Sequence, residues 1–236
     1  MPIGWSCKAL DEENFIIASG ELRVLRFMLI TKENAFTVKS TLTAVVTSSR
    51  GEEIKEVQLG SGWVSCWKLA HILNIENPEE FDNVYAPEND GDIIEDNLKV
   101  DTNITTYRGF ECFGYVNLEK VFNQKDITEM VAATTEYKLC YATCIADSPE
   151  EKECYMQLMG EDRFKVWING QLVAIVSECI ARPVEYLVQL KEGKNRVLIK
   201  CTQDAHMEWN DRSWGFHFRL TDDERKPLDN ITYSLE

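Results

Sequence analysis

A chain of 236 residues with 44% hydrophobic and 10% aromatic side chains carries enough apolar material for one large packed unit or two smaller ones, which excludes disorder over most of its length. Forty acidic against 25 basic residues give a formal charge of -15. That balance excludes nucleic acid and an anionic membrane surface as partners, since both need clustered Lys and Arg, and it suits a neutral ligand best.

Met1 to Cys7 lack a basic start followed by a long apolar run, so the sequence predicts no export leader or membrane span and points to a cytoplasmic chain. Alternating segments from Glu21 to Ile30, Ala35 to Val46 and Ile54 to Leu59 predict three strands of an N-terminal β-meander, turning at Ser48-Ser49-Arg50-Gly51. Gly60-Ser61-Gly62 marks a boundary, giving residues 1–62 as a meander packed on a domain of residues 63–236. After a segment from Trp63 to Leu73, the stretch Asn74 to Asn103 is polar and acidic, with two prolines. It reads as a long surface loop with one helical turn near Ile93 to Asn97. Strands are predicted at Thr105 to Phe113, Tyr137 to Ile145 and Cys154 to Met159, with a short helix from Gln124 to Ala132.

The period-two pattern is cleanest from Gly160 to Leu220. Arg163 to Ile168, Tyr186 to Leu190, Arg196 to Lys200 and Trp214 to Leu220 alternate apolar and polar residues between turns at Asn169-Gly170, Gly193-Lys194-Asn195 and Asn210-Asp211-Arg212. The fold class that follows is all-β, an antiparallel β-sandwich of jelly-roll type with an N-terminal β-meander. Cys7, Cys66, Cys112, Cys140, Cys144, Cys154, Cys179 and Cys201 form no Cys-x-x-Cys pair and no regular spacing, so they read as reduced thiols in the core.

For chemistry, the stretch Trp209-Asn210-Asp211-Arg212-Ser213-Trp214 is the most suggestive. Two indoles flank amide, carboxylate and guanidinium groups, and sugars offer apolar C–H faces to the first and vicinal hydroxyls to the rest. Tyr85 and Glu88 lie in the long loop, placed to line a groove, while Glu88-Asn89-Asp90-Gly91-Asp92 misses the register of a calcium loop. No nucleophile elbow, Walker loop, dinucleotide fingerprint or His-Glu-x-x-His occurs; His71 and His217 fall in strand-like segments, where they read as hydrogen-bonded structural residues, and His206 stands near Glu208 with no second metal ligand at useful spacing. The sequence predicts no catalytic residues, no metal and no cofactor.

Tyr141-Ala142-Thr143-Cys144-Ile145, Ser148-Pro149-Glu150 and the run from Gln157 through Lys165-Val166-Trp167-Ile168-Asn169-Gly170 resemble the galactose-binding-like jelly rolls attached to bacterial glycoside-processing enzymes. Leu190-Lys191-Glu192-Gly193-Lys194-Asn195 and Trp214-Gly215-Phe216 match that family's next strands; Trp67, Phe81-Asp82 and Tyr85-Ala86-Pro87-Glu88 match its opening. The Gly-Pro-Phe expected after Trp67 is replaced by Lys68-Leu69-Ala70-His71-Ile72, and the resemblance runs from about Trp63 to Leu228. It implies a jelly roll that binds carbohydrate without catalysis, accessory to a glycan-degrading enzyme domain. Two rival expectations stand beside it. One is a structural or protein-interaction sandwich without a sugar ligand; the other is a sugar-acting hydrolase or lyase whose acids converge only in three dimensions.

Overall fold

The computed structural model describes residues 6–11, 27–30, 40–48, 51–59, 62–95, 98, 100–108, 114–123, 137–178, 180–204 and 214–236. Near the N-terminus, β1 (Ser6–Ala9) pairs with β2 (Phe27–Ile30), and β3 (Ser40–Ser48) pairs with β4 (Gly51–Leu59), so the described residues there form two antiparallel two-stranded ladders. Ser48 pairs with Gly51, which puts the second hairpin at the turn read from the sequence. The helix expected from Gln124 to Ala132 lies outside the described residues.

From residue 63 onward the order is β5 (Cys66–Ile72), a 3-10 turn (Pro78–Phe81), α1 (Ala86–Asp90), β6 (Thr102–Arg108), β7 (Val116–Asn117), α2 (Leu118–Asn123), β8 (Lys138–Ser148), β9 (Lys152–Glu161) and β10 (Arg163–Ile168). There follow β11 (Gln171–Val176), β12 (Ile180–Leu190), β13 (Gly193–Gln203), β14 (Gly215–Thr221) and β15 (Thr232–Ser234). Two antiparallel sheets result. The larger has the order β11-β10-β13-β8-β5-β6, with β15 also on β8, and the smaller has β12-β9-β14-β7. Between β8 and β14 the chain changes sheet five times, from β8 to β9, β9 to β10, β11 to β12, β12 to β13 and β13 to β14, which is the crossing pattern of a jelly-roll sandwich.

Alternation decides which side chains fill the space between the sheets. Val197, Ile199 and Cys201 of β13 and Phe164, Val166 and Ile168 of β10 meet Cys154, Met156 and Leu158 of β9 and Phe216, Phe218 and Leu220 of β14. Trp67 sits edge-on to Phe216 and Phe218, with ring centroids 5.1 and 5.5 Å away, and its indole N–H donates to the Val64 carbonyl at 3.0 Å. Side chains of this size contribute roughly 1.5–3 kcal/mol each on burial, so this layer carries most of the fold's stability. Cys66, Cys140, Cys144, Cys154 and Cys201 are free and buried, as the sequence predicts for them. Burial pushes the thiols of Cys140, Cys144, Cys154 and Cys201 above their ordinary pKa, Cys154 to about 11.

The outer face of the larger sheet is also apolar over part of its area, because Ala70, Ile72, Leu139, Tyr141, Trp167 and Leu198 occupy outward positions on four neighbouring strands. They require a cover, and the segment from Asn77 to Ile93 supplies it. Asn77 caps the 3-10 turn by accepting from the Glu79 N–H, Phe81 is 4% exposed, and Ile93 is fully buried. The sequence reading of this segment as a solvated loop therefore needs correction. It has no strand, as expected; a 3-10 turn at Glu95, whose carbonyl accepts from the Leu98 N–H at 3.3 Å, falls where one was expected, but two further helical turns lie at Pro78–Phe81 and Ala86–Asp90, and the segment forms a third layer. Trp167 packs in that layer at 7% exposure.

At the far end of β5, His71 lies against Phe122 and Trp214 at centroid distances of 4.9 and 5.1 Å. Burial, and next the Lys138 ammonium, push its pKa down to about 4 from 6.5, with Glu119 opposing. The unfolded chain takes up this proton near pH 6.5 and the folded chain only near pH 4. Stability from this group is therefore complete above about pH 6.5 and falls as the pH drops, by about 2 kcal/mol after allowing for water that reaches the ring. Urea titrations at about pH 7 and about pH 4.5 check this: His71→Gln should lose less stability between them than the parent chain, and equal losses would reject the assignment. Among the described residues no helix is long and apolar enough to cross a membrane.

Candidate functional site

Of the residues singled out in sequence, the three that are described, Trp214, Tyr85 and Glu88, do not share one site. Trp209, Asn210, Asp211 and Arg212 lie outside the described residues. Trp214 is fully buried, with its ring 5.1 Å from His71 and 5.8 Å from Phe122 and the Lys138 ammonium 5.5 Å from its centroid. It directly precedes β14 in the same phase as Phe216 and Phe218, so alternation turns it into the interior; this indole is a core ring and not an exposed platform for a sugar.

Tyr85 and Glu88 are elsewhere, over the outer face of the larger sheet. The Lys200 ammonium, with no exposed side-chain surface, donates to Glu88 Oε1 at 2.8 Å and to the Asn83 carbonyl at 2.6 Å. The Tyr141 hydroxyl donates to the same Glu88 oxygen. Tyr85, Tyr141 and Phe81 surround the cation, with centroids at 5.1, 5.5 and 5.7 Å. Burial lowers the Lys200 pKa while the Glu88 carboxylate pulls it back up. Burial and then Glu88 raise that of Tyr141. Glu88 is thereby committed to holding the cover segment on the sheet.

Beyond the end of that cover, the outer face of the sheet is open and forms a cleft of about 780 Å³. Its floor comes from outward positions on four paired strands, β6, β5, β8 and β13: Thr106 lies opposite Lys68, and Ile145 lies opposite Arg196. One wall is Asn89 to Asp92, the end of α1 and the turn after it, where Gly91 at φ 69° lets the chain reverse. Asp92 is fixed at both oxygens, accepting from the Ile93 N–H at 2.7 Å and pairing with Arg196 at 2.5 Å. Lys68 donates to the Ile93 carbonyl at 2.5 Å.

The rim is made by one hairpin turn and by the turn that crosses between the sheets from β12 to β13, knitted together by one amide. Asn169 and Gly170, at φ 52° and 79°, form the two-residue turn between β10 and β11, as an Asn-Gly pair favours. Asn195 is fully buried. Its amide nitrogen donates to the Lys191 and Gly193 carbonyls at 2.7 and 2.9 Å, while its oxygen accepts from the Lys191 N–H and the Asn169 amide, both at 2.9 Å. The Asn169 oxygen in turn accepts from the Arg196 N–H at 3.0 Å. The Asn-Gly and Gly-x-Asn elements noted in the sequence thus serve the same rim.

Sequence reasoning missed Lys68, Arg196, Asn169, Lys191 and Lys194 as neighbours across a cleft. Their usable signal was phase, since Lys68 and Arg196 stand at polar outward positions within otherwise apolar strands. The fold and this site define an antiparallel β-sandwich module with a polar cleft on the outer face of its larger sheet.

No family model matches the sequence, and no curated protein matches it. Among solved structures, the chain is similar to a β-glucosidase from Kluyveromyces marxianus (12% identity, TM-score 0.41, covering 66% of this chain and 16% of that one). It is also similar to a GH2 β-galacturonidase from Eisenbergiella tayi bound to galacturonate (9%, TM-score 0.39, 81% and 26%). A GH31 α-xylosidase from Xanthomonas citri matches at 8%, TM-score 0.35, with 98% and 28% covered. The chain spans between 16% and 28% of the length of these three.

Proposed function

We propose that this chain is a non-catalytic carbohydrate-binding module, accessory to a glycan-degrading enzyme, and that the outer-face cleft is its binding site. The observation that carries this reading is the combination the cleft presents: an open volume of about 780 Å³ in which amide, carboxylate, hydroxyl and cationic groups converge on a small apolar floor at Ile145. A polyol needs this mixture, because each ring hydroxyl both donates and accepts while the ring's C–H edge seeks an apolar contact. The site is preorganised, with Asp92, Asn169 and Arg196 fixed by the contacts described above, so little side-chain freedom is lost when a ligand enters. The galactose-binding-like resemblance of the sequence supports the same reading. It moves the binding surface away from the Trp209 to Trp214 loop.

Calorimetric titration against a panel of plant, host and microbial oligosaccharides tests it. The expected result is micromolar to millimolar binding, weakened by Thr106→Trp, which fills the floor of the cleft while its position stays at the sheet surface. Absence of binding across the panel, or equal binding by that variant, would reject the proposed site.

A further inference from the structure

We infer that the cleft takes an acidic sugar, one whose ring carries a carboxylate, in preference to its neutral counterpart; this rests on the carbohydrate-binding reading above. The charge of the cleft is inverted relative to the chain. The whole sequence has 25 Lys and Arg against 40 Asp and Glu, whereas the residues lining the cleft include four cations and three carboxylates.

The ion pairing inside the cleft sharpens the excess. Asp92 is already matched to Arg196 at 2.5 Å and to the Ile93 N–H, so it offers no free charge to a ligand. Lys68 donates to a neutral backbone carbonyl rather than to a carboxylate. Lys191 and Lys194 enter from the turn between β12 and β13, both exposed, with no side-chain partner among the described residues. Asp90 and Glu236 are the carboxylates left to oppose these three ammonium groups. An ammonium is a strongly hydrated point charge with three donors, suited to a carboxylate at the mouth of a cleft, while the fixed amides and hydroxyl deeper in the site serve ring hydroxyls. Two of the three cations stand on the rim that Asn195 holds rigid, so their backbone positions are set before any ligand arrives.

The test is calorimetric titration of the full chain with two oligosaccharides of the same length and linkage, one of glucuronate and one of glucose, at low and high NaCl. Binding of the glucuronate oligomer about tenfold tighter than the glucose oligomer, with the difference shrinking at high salt, is the expected result. The Lys191→Gln/Lys194→Gln double variant should then lose most of that preference while its thermal melting stays unchanged, since both side chains are solvent-exposed. Equal binding of the two sugars, or an undiminished preference in the double variant, overturns the acidic-sugar inference and leaves the carbohydrate module standing. Binding of neither, here and across the wider panel, overturns both.

Discussion

The Lys200→Met chain is expected to be less stable than the parent by about 3–5 kcal/mol, read as a lower urea midpoint at unchanged slope. The ammonium has no solvent-exposed surface, and methionine preserves most of its volume among Phe81, Tyr85 and Tyr141. What it removes is the countercharge of Glu88, whose carboxylate then stays buried with only the Tyr141 hydroxyl, and the donor to the Asn83 carbonyl. A buried charge left alone costs far more than a matched pair contributes. The Lys200→Met/Glu88→Gln double variant should therefore recover a large part of the loss. A single-variant loss under about 1 kcal/mol would show that water already reaches the pair and that the cover is not anchored there.

Asn195→Ala should cost about 2–4 kcal/mol by the same measurement. Four hydrogen bonds end on this fully buried amide, and alanine leaves backbone groups of Lys191 and Gly193 and the Asn169 amide without their partner. Asn195→Asp should be no better. It keeps the acceptor but replaces the donor to two carbonyls with a second oxygen facing them. Hydrogen exchange at the Asn169-Gly170 and Lys191 to Lys194 turns localises the effect: faster exchange confined to those turns is the expected pattern, and a uniform increase over the sandwich would count against the rim assignment.

Much of this architecture was legible because a sheet with one buried face writes itself as alternation. Arg163 to Ile168 reads as β10 with the observed bounds, and Trp214, Phe216 and Phe218 share one phase. That shared phase already carried the fate of Trp214; attention to the polar residues beside it obscured the point. Strand β11 was missed since Leu172 and Ile175 stand exposed on a sheet edge, at 44% and 52%, and no clean in-and-out pattern survives there. The cover segment was misread for another reason. Its position depends on apolar residues at outward positions of β5, β8, β10 and β13, a demand spread over more than a hundred residues of chain that no local window displays. The cleft is invisible in the same way, for Lys68 and Arg196 become neighbours only through the β5-β8-β13 pairing.

Four of the five described thiols, Cys140, Cys144, Cys154 and Cys201, are spread over β8, β9 and β13, in both sheets and on the interior side. Held as neutral thiols in a dry interlayer, they cannot react with alkylating reagents until the leaves of the sandwich part. The fold thus comes with a built-in clock for its own opening, in which the order of labelling, strand by strand, records which leaf lets go first.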